Sequence, residues 1–235
     1  MKRDEKAILY GGSNNVIDST CPRCQGSLDK HGISVIRSGE KSRKLLFDNF
    51  LPTLNNYNKE TLLDDNLREA YLRLAAGPGG GVIATSMMGV AVATIGTQEK
   101  QYATLSGPGA RVVLPFIKRG QLPTGLVIVG VVNALEDPDA MVDVRGKTFV
   151  PTSTAQGNNM DYPIGSCAAQ KILNQIFRDA RDAGKKVEAI DLSELFWRDY
   201  AAEKYSRAWS TGSIVPSCDT CKQVLPQMLC DRVDD

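Results

Sequence analysis

The chain has 235 residues, and its 28 lysines and arginines nearly balance its 27 aspartates and glutamates, for a formal net charge of +1. Such a chain has no global electrostatic attraction to nucleic acid or to a membrane surface, so any nucleic-acid binding must be local. Hydrophobic residues make up 42% of the sequence, enough to supply a globular core. Six cysteines are too few for a disulfide scaffold, and their Cys-x-x-Cys spacing favours metal binding in a reducing compartment.

The N-terminus shows no secretory signal. Residues 1–6 read Met-Lys-Arg-Asp-Glu-Lys, and no apolar run with a small-residue cleavage site follows them. A toxin that is delivered by a specialised secretion apparatus would lack such a signal as well. We therefore expect a cytoplasmic protein, either resident or delivered, and no membrane partner.

A Cys-Pro-Arg-Cys motif lies near the N-terminus. Cys21 and Cys24, with Gly26 close behind, resemble a zinc knuckle, in which a turn aims two thiolates at one metal ion. Only half a site is present, and His31 and Cys230 are candidates for the remaining ligands, although no spacing rule supports that choice. Two free or loosely paired surface thiols are therefore favoured over a second metal site.

The N-terminal half predicts one clear helix and one pair of strands. Residues 59–76 have the helical period, with a core face formed by Leu63, Leu67, Tyr71 and Leu74. A glycine-rich break at 77–81 follows. The uncharged run over 82–97 has about sixteen residues, fewer than the ~20 that span a bilayer, so we interpret it as a buried strand pair.

Further strands are predicted in the middle of the chain. Residues 112–117 and 126–132 are rich in valine and isoleucine, which is typical of a sheet buried on both faces, and residues 148–150 form a short extended piece. Gly107-Pro108-Gly109 lacks the Lys-Ser/Thr of a phosphate loop and predicts a turn. We expect these strands to form a covered central sheet.

A helix is predicted directly after Cys167, because apolar residues recur at helical spacing until Gly184. A strand follows over 187–192. From Ser193 a helix-like run extends to Trp209, and it contains the aromatic residues Phe196, Trp197, Tyr200, Tyr205 and Trp209. Core packing is the ordinary role of such residues, and stacking on a nucleic-acid base is the alternative.

Three cysteines begin helices. Cys167 starts the helix described above, and Cys218 and Cys221 start a second one after Pro216. The positive end of a helix dipole lowers the pKa of a thiol and favours the thiolate that zinc requires. A tetrahedral zinc ion with three protein ligands keeps one position for water, which is the catalytic rather than the structural arrangement.

This pattern resembles the zinc-dependent cytidine deaminase superfamily: a cysteine or histidine at a helix start, a strand, and then Pro-Cys-x-x-Cys opening a second helix. The resemblance covers roughly residues 125–230. It implies a three-layer α/β fold with a mixed central sheet flanked by helices, a deaminase-like domain over 111–235 and an N-terminal extension over 1–110. It also implies that Cys167, Cys218 and Cys221 bind Zn²⁺, which activates a water to attack the carbon bearing an exocyclic amine.

The sequence departs from the family at two positions. The second motif reads Pro-Ser-Cys-x-x-Cys, one residue longer than the commonest form, and Ala169 occupies the position of the proton-carrying glutamate. Gln170 cannot replace that glutamate, because an amide neither holds nor releases a proton near neutral pH. Ala169 is either a replacement that traps an inactive protein, the interpretation we favour, or the mark of a natural pseudoenzyme.

The resemblance predicts a hydrolytic deaminase of a nucleobase, nucleoside or related heterocycle, of toxin or secondary-metabolism type, inactive or crippled as written. Candidate substrate contacts are Asn158, Asn159, Ser213 and Ser217. A zinc-binding interaction protein is one alternative, and an enzyme that uses Cys167 as a nucleophile is another. The expected partners are a free or nucleic-acid base, further copies of the chain and, for a toxin, an immunity protein.

Overall fold

A computed structural model describes residues 21, 23–26, 39–56, 85–107, 122–130, 141–153, 163–198, 210–213, 215 and 218–232. The first described helix, α1 (Glu40–Leu45), continues through a π-helical turn (Leu46–Phe50) and a further α-helical segment over 51–56. The later elements are β1 (Thr85–Ile95), β2 (Gln98–Leu105), β3 (Leu126–Ile128), β4 (Met141–Val142), β5 (Thr148–Phe149), α2 (Ala168–Asp182), β6 (Val187–Arg198) and α3 (Asp219–Met228).

Four of the strands form one mixed sheet in the order β3-β2-β1-β6. β1 pairs antiparallel with both β2 and β6, whereas β2 pairs parallel with β3. β4 and β5 form a separate antiparallel pair. β1 and β2 precede residue 110 and β6 follows it, so the sheet is built from both sides of the expected domain boundary.

Helices cover both faces of this sheet. Along β1, Met88, Val90 and Val92 pack in a cluster with α1, while Ala91, Ala93 and Ile95 pack in a cluster with α2 and α3. This alternation follows from the two-residue period of a strand, because successive side chains point to opposite faces. The predicted α/β class with a mixed sheet flanked by helices is therefore confirmed.

The strand predictions need three corrections. The run at 82–97 does not contain a strand pair: β1 ends at Ile95, and its partner β2 begins only at Gln98. β2 begins with exposed polar residues, which hid it from the hydrophobic pattern. The strand predicted over 126–132 is β3, which ends at Ile128, is only partly buried and lies at one end of the described sheet.

The third correction concerns β6. The strand predicted at 187–192 is confirmed, but it continues to Arg198, so the helix predicted from Ser193 is wrong for residues 193–198. Pairing with β1 over its whole length outweighs the apparent helical period. The predicted helix at 59–76, the glycine-rich break and the strand at 112–117 lie outside the described residues. Among the described helices, none combines the length and the apolar character needed to cross a membrane.

Candidate metal centre

Two helix N-termini bring three cysteines together. Cys167 and Cys218 are the N-cap residues of α2 and α3, and both have extended backbones, with φ and ψ of −75° and 149° and of −65° and 162°. The Sγ of Cys218 accepts a hydrogen bond of 3.3 Å from the N–H of Cys221, in the first turn of α3. The predicted helix starts at these cysteines are thus confirmed.

The three sulfurs of Cys167, Cys218 and Cys221, here called the Cys167 triad, all lie within 4.8 Å of one another. The Sγ atoms of Cys167 and Cys218 are 3.3 Å apart. Sulfurs bound at ~2.3 Å in a tetrahedral zinc site are ~3.8 Å from each other, so small side-chain movements fit the triad to such an ion. None of the chain's six cysteines forms a disulfide. The donor set therefore suits a thiophilic metal ion.

The thiols of the triad titrate as a coupled group. Hydrogen bonds from the Cys167 thiol and then from Cys221 lower the pKa of Cys218 from 9.0 to about 3. The same sulfur–sulfur contact raises the pKa of Cys167 well above 9.0. The contacts among the three sulfurs therefore favour a thiolate at Cys218.

Gln170 connects the triad to the loop before α2. It has no exposed surface. Its Oε1 accepts a hydrogen bond of 2.7 Å from the N–H of Gly165, and its Nε2 donates one of 3.2 Å to the Sγ of Cys221. Sequence reasoning considered Gln170 only as a proton carrier and missed this positioning role. The signal was present, since residues three apart share one side of a helix.

Glu194 is the functional candidate that sequence reasoning missed entirely. Its Oε1 accepts a hydrogen bond of 2.8 Å from the backbone N–H of Ala169. Burial raises the pKa of Glu194 from 4.5 to about 7, with the negative charge of Cys218 adding to the increase and the Ala169 hydrogen bond opposing it. The carboxylate of Glu194 thus contacts the backbone of residue 169, and the negative charge of Cys218 affects its pKa.

The position of Glu194 follows from strand alternation. Leu192 and Ile190, two and four residues earlier, pack on the α2 face of the sheet, whereas Leu195 and Trp197 pack on the α1 face. Glu194 therefore belongs to the α2 face. The helix predicted from Ser193 concealed this relationship.

A glycine in β1 allows α2 to approach the sheet at this point. Gly89 pairs with Glu194 across the two strands. A Cβ at Gly89 would lie 3.0 Å from both the Cβ of Ala168 and the Cδ1 of Ile172. The missing side chain therefore permits the close packing that brings the first turn of α2 to Glu194.

A second group, the Cys230 triad, consists of Cys21, Cys24 and Cys230, with sulfurs within 4.8 Å of one another. The N–H of Gly26 donates to the Sγ of Cys24 at 3.4 Å. Gln25 has a φ of 57°, the left-handed conformation that tightens this turn. Because Cys21 and Cys230 have no exposed surface, the favoured interpretation of surface thiols is wrong for Cys21. Cys230 lies where the prediction put a ligand, and His31 lies outside the described residues.

Arg23 binds the turn that contains Cys21 and Cys24, here called the knuckle, to the rest of the fold. Its Nη1 donates hydrogen bonds of 2.9 Å to the Oδ2 of Asp143 and to the backbone oxygen of Gln227. Its guanidinium also lies 4.4 Å from the ring centre of Phe149. The knuckle is thus held against both α3 and the β4–β5 pair.

The described residues test only part of the predicted substrate site. Ser213 belongs to a turn whose backbone pairs with Phe196, with the Phe196 N–H donating to the Ser213 oxygen at 2.9 Å. Trp197 has no exposed surface and packs with α1, so base stacking is wrong for this residue, and Phe196 is also buried. The other candidates lie outside the described residues: Asn158, Asn159, Tyr200, Tyr205, Trp209 and Ser217.

Comparison with known proteins identifies no relative. No protein-family model, no curated protein and no solved structure matches this chain. The two cysteine triads and the α/β fold that presents them are therefore the basis for a functional assignment.

Proposed function

We propose that the Cys167 triad binds Zn²⁺ and that the chain is a hydrolytic deaminase of a nucleobase, nucleoside or related heterocycle. The observation that carries this proposal is the convergence of three sulfurs from two helix N-termini within 4.8 Å. No fourth histidine, cysteine or carboxylate of the described residues joins them. An incomplete protein ligand set on a tetrahedral metal ion leaves a position for water or substrate.

A bound zinc ion in such a site would lower the pKa of water to ~7 and so supply a nucleophile at neutral pH. Deamination then exchanges the exocyclic amine of an amidine for the water oxygen and releases ammonia. The protons of the water must reach a ring nitrogen and the leaving amine, so the reaction requires a proton carrier. The alanine at position 169 cannot perform this task, although the resemblance assigns it to that position.

The chain's own residues prepare the site for this chemistry. Gln170 orients Cys221 through its hydrogen bond to the sulfur, and it is itself fixed by Gly165. Such contacts around metal ligands set their orientation and basicity. The low pKa of Cys218 provides one thiolate before any metal arrives.

We propose that the Cys230 triad binds a second metal ion. The hydrogen bond from Gly26 to Cys24 is of the kind that stabilises a thiolate in a zinc knuckle. Cys230 comes directly after Leu229, the C-cap residue of α3, so a metal ion here would fix the end of the helix that begins at Cys218. The two proposed sites therefore share one helix.

The test combines metal content with turnover. We expect two zinc ions per chain, with Cys218→Ser losing one and Cys21→Ser losing the other, as measured by elemental analysis. Ammonia release is then assayed with cytosine, adenine and guanine as free bases, nucleosides and polymers, using the unmodified chain and Ala169→Glu. The deaminase proposal requires zinc-dependent release by at least one of the two proteins, and that release must be lost in Cys218→Ser.

A zinc-binding interaction protein is the alternative, and it makes a different prediction. It retains both zinc ions, but neither the unmodified chain nor Ala169→Glu releases ammonia from any member of the panel. This result would overturn the deaminase proposal while leaving the metal sites in place.

A further inference from the structure

Building on the proposed deaminase function, we infer that Glu194 is the proton carrier of this site. The acid–base carboxylate would then come from strand β6 rather than from helix α2. On this inference the alanine at position 169 does not inactivate the chain, because the group it lacks is supplied from the neighbouring strand.

The first support is the position of the carboxylate. Glu194 Oε1 lies 2.8 Å from the backbone nitrogen of Ala169, the residue at which the family pattern expects a glutamate. The alanine at this position carries no carboxyl group of its own. The carboxylate of Glu194 thus reaches the first turn of α2 from the opposite direction.

The second support is the place of this contact relative to a proposed metal ligand. The N–H that donates to Glu194 belongs to the first turn of α2, and the N-cap residue of α2 is Cys167. The carboxylate therefore lies at the same helix end as one of the three cysteines.

The third support is that the sheet fixes Glu194 in place. β6 is paired with β1 on both sides of Glu194, and Gly89 lies opposite it in the register. Positions on a strand hold a reacting group more firmly than positions on a loop.

A structural role must be separated from this chemical one. Cys167 makes no side-chain hydrogen bond to cap α2, and the Glu194 carboxylate satisfies one N–H of its first turn. Glutamine at position 194 would retain an acceptor oxygen for that N–H but could not carry a proton. Glu194→Gln therefore removes the proposed chemistry while keeping the cap.

The proton balance of the reaction is complete with this single carboxylate. Glu194 accepts one proton from the attacking water as the oxygen bonds to the amine-bearing carbon, and it passes that proton to the ring nitrogen. It then transfers the remaining hydroxyl proton to the amine, the carbon–nitrogen bond breaks, and ammonia leaves. The product has a carbonyl group, and Glu194 is ionised again.

The experiment compares the zinc-loaded unmodified chain with Glu194→Gln. We expect equal zinc content and a loss of kcat of ~10²- to 10⁴-fold, the range for a positioned acid–base group. Glu188→Gln is the matched control, because Glu188 is an exposed glutamate on the same strand, and it should change kcat less than about twofold. The double variant Ala169→Glu/Glu194→Gln should recover activity, since it returns the carboxylate to α2.

A second readout does not depend on turnover. With Co²⁺ in place of Zn²⁺, the visible spectrum reports the ionisation of the water that completes the metal coordination. We expect Glu194→Gln to lower the midpoint of this pH titration, because it removes a negative charge that disfavours ionisation of the nearby water, while Glu188→Gln leaves it unchanged. An unchanged midpoint in Glu194→Gln would overturn the inference.

The activity outcomes separate this inference from the function on which it rests. If the unmodified chain is inactive and Ala169→Glu is active, the deaminase function stands and the role of Glu194 is wrong. The role of Glu194 is also wrong if Glu194→Gln keeps more than about a tenth of kcat. If both the unmodified chain and Ala169→Glu are inactive, the proposed function itself fails and this inference fails with it.

Discussion

The side-chain amide of Gln170 donates a hydrogen bond of 3.2 Å to the sulfur of Cys221. Contacts of this kind usually change metal affinity by ~10- to 100-fold when they are removed. We therefore expect Gln170→Ala to weaken zinc binding at the Cys167 triad by that factor, measured by competition with a chromophoric chelator. Gln175→Ala is the control, because the amide of Gln175 contacts Asp179 on the same helix instead of a cysteine. Equal affinities in the two variants would contradict the proposed role of Gln170.

Gly89 provides a prediction about stability. A methyl group at this position would lie 3.0 Å from the side chains of Ala168 and Ile172, and such overpacking costs ~1–3 kcal/mol. We expect Gly89→Ala to lower the free energy of unfolding by that amount in urea denaturation. Gly130→Ala should be nearly neutral, because no atom lies within 4 Å of its added Cβ. A Gly89→Ala protein as stable as the Gly130→Ala control would show that α2 does not need the close approach.

The hydrogen bonds of Asp179 predict that the stability of the fold decreases in acid. Burial alone would raise its pKa, but hydrogen bonds from Gln175, Tyr102 and Lys100 outweigh this effect and lower the pKa below 3.8. A carboxyl whose pKa is lower in the folded state stabilises the fold above its ordinary pKa, and it loses that contribution as the pH falls through the folded value. The contribution should therefore begin to decline as the pH falls below about 3.8, and it is lost as the pH passes the lower, folded-state pKa.

The measurement is the urea midpoint at about pH 6 and at about pH 3. Asp179→Asn should be less stable than the unmodified chain at the higher pH, and the difference should shrink at the lower pH. Asp182→Asn is the control, because Asp182 is an exposed residue of the same helix. A difference between Asp179→Asn and the unmodified chain that does not change with pH would contradict the assignment.

The Cys230 triad predicts a selective loss of metal. Cys230→Ser should bind one zinc ion instead of two and retain the ion at the Cys167 triad, whereas Cys221→Ser should show the reverse. Elemental analysis gives the number of ions, and iodoacetamide labelling followed by mass spectrometry identifies the cysteines that have lost protection. Two zinc ions in Cys230→Ser would exclude this residue as a ligand.

The sequence predicts a site residue where a possible metal ligand also marks the start of a helix. Cys167 and Cys218 are predicted at helix starts because a cysteine precedes each helical period, and the structure brings these residues together with Cys221. Contacts between residues that are far apart in the sequence are harder to predict. Cys230 is only one candidate partner for Cys21 and Cys24 in the sequence, because no local rule connects residues more than two hundred positions apart.

Glu194 escapes prediction for a different reason. Its strand contains Phe196 and Trp197 at positions that also fit a helical period, and only pairing with β1 decides between the two. Tertiary contacts often override local propensity in this way. Once the residue is assigned to a strand, its alternation with Ile190 and Leu192 is enough to place it on the α2 face.

Helix α3 begins at two cysteines of one triad and is followed, directly after its C-cap residue, by a cysteine of the other. If both triads bind metal, the helix is a rigid element of about ten residues that links the two binding sites. Ordering of the helix by the first ion would lower the entropic cost of binding the second, and thermodynamic reciprocity requires the same advantage in the opposite direction. The chain would then take up zinc cooperatively, and a chelator would remove both ions over a narrower concentration range than two independent sites allow.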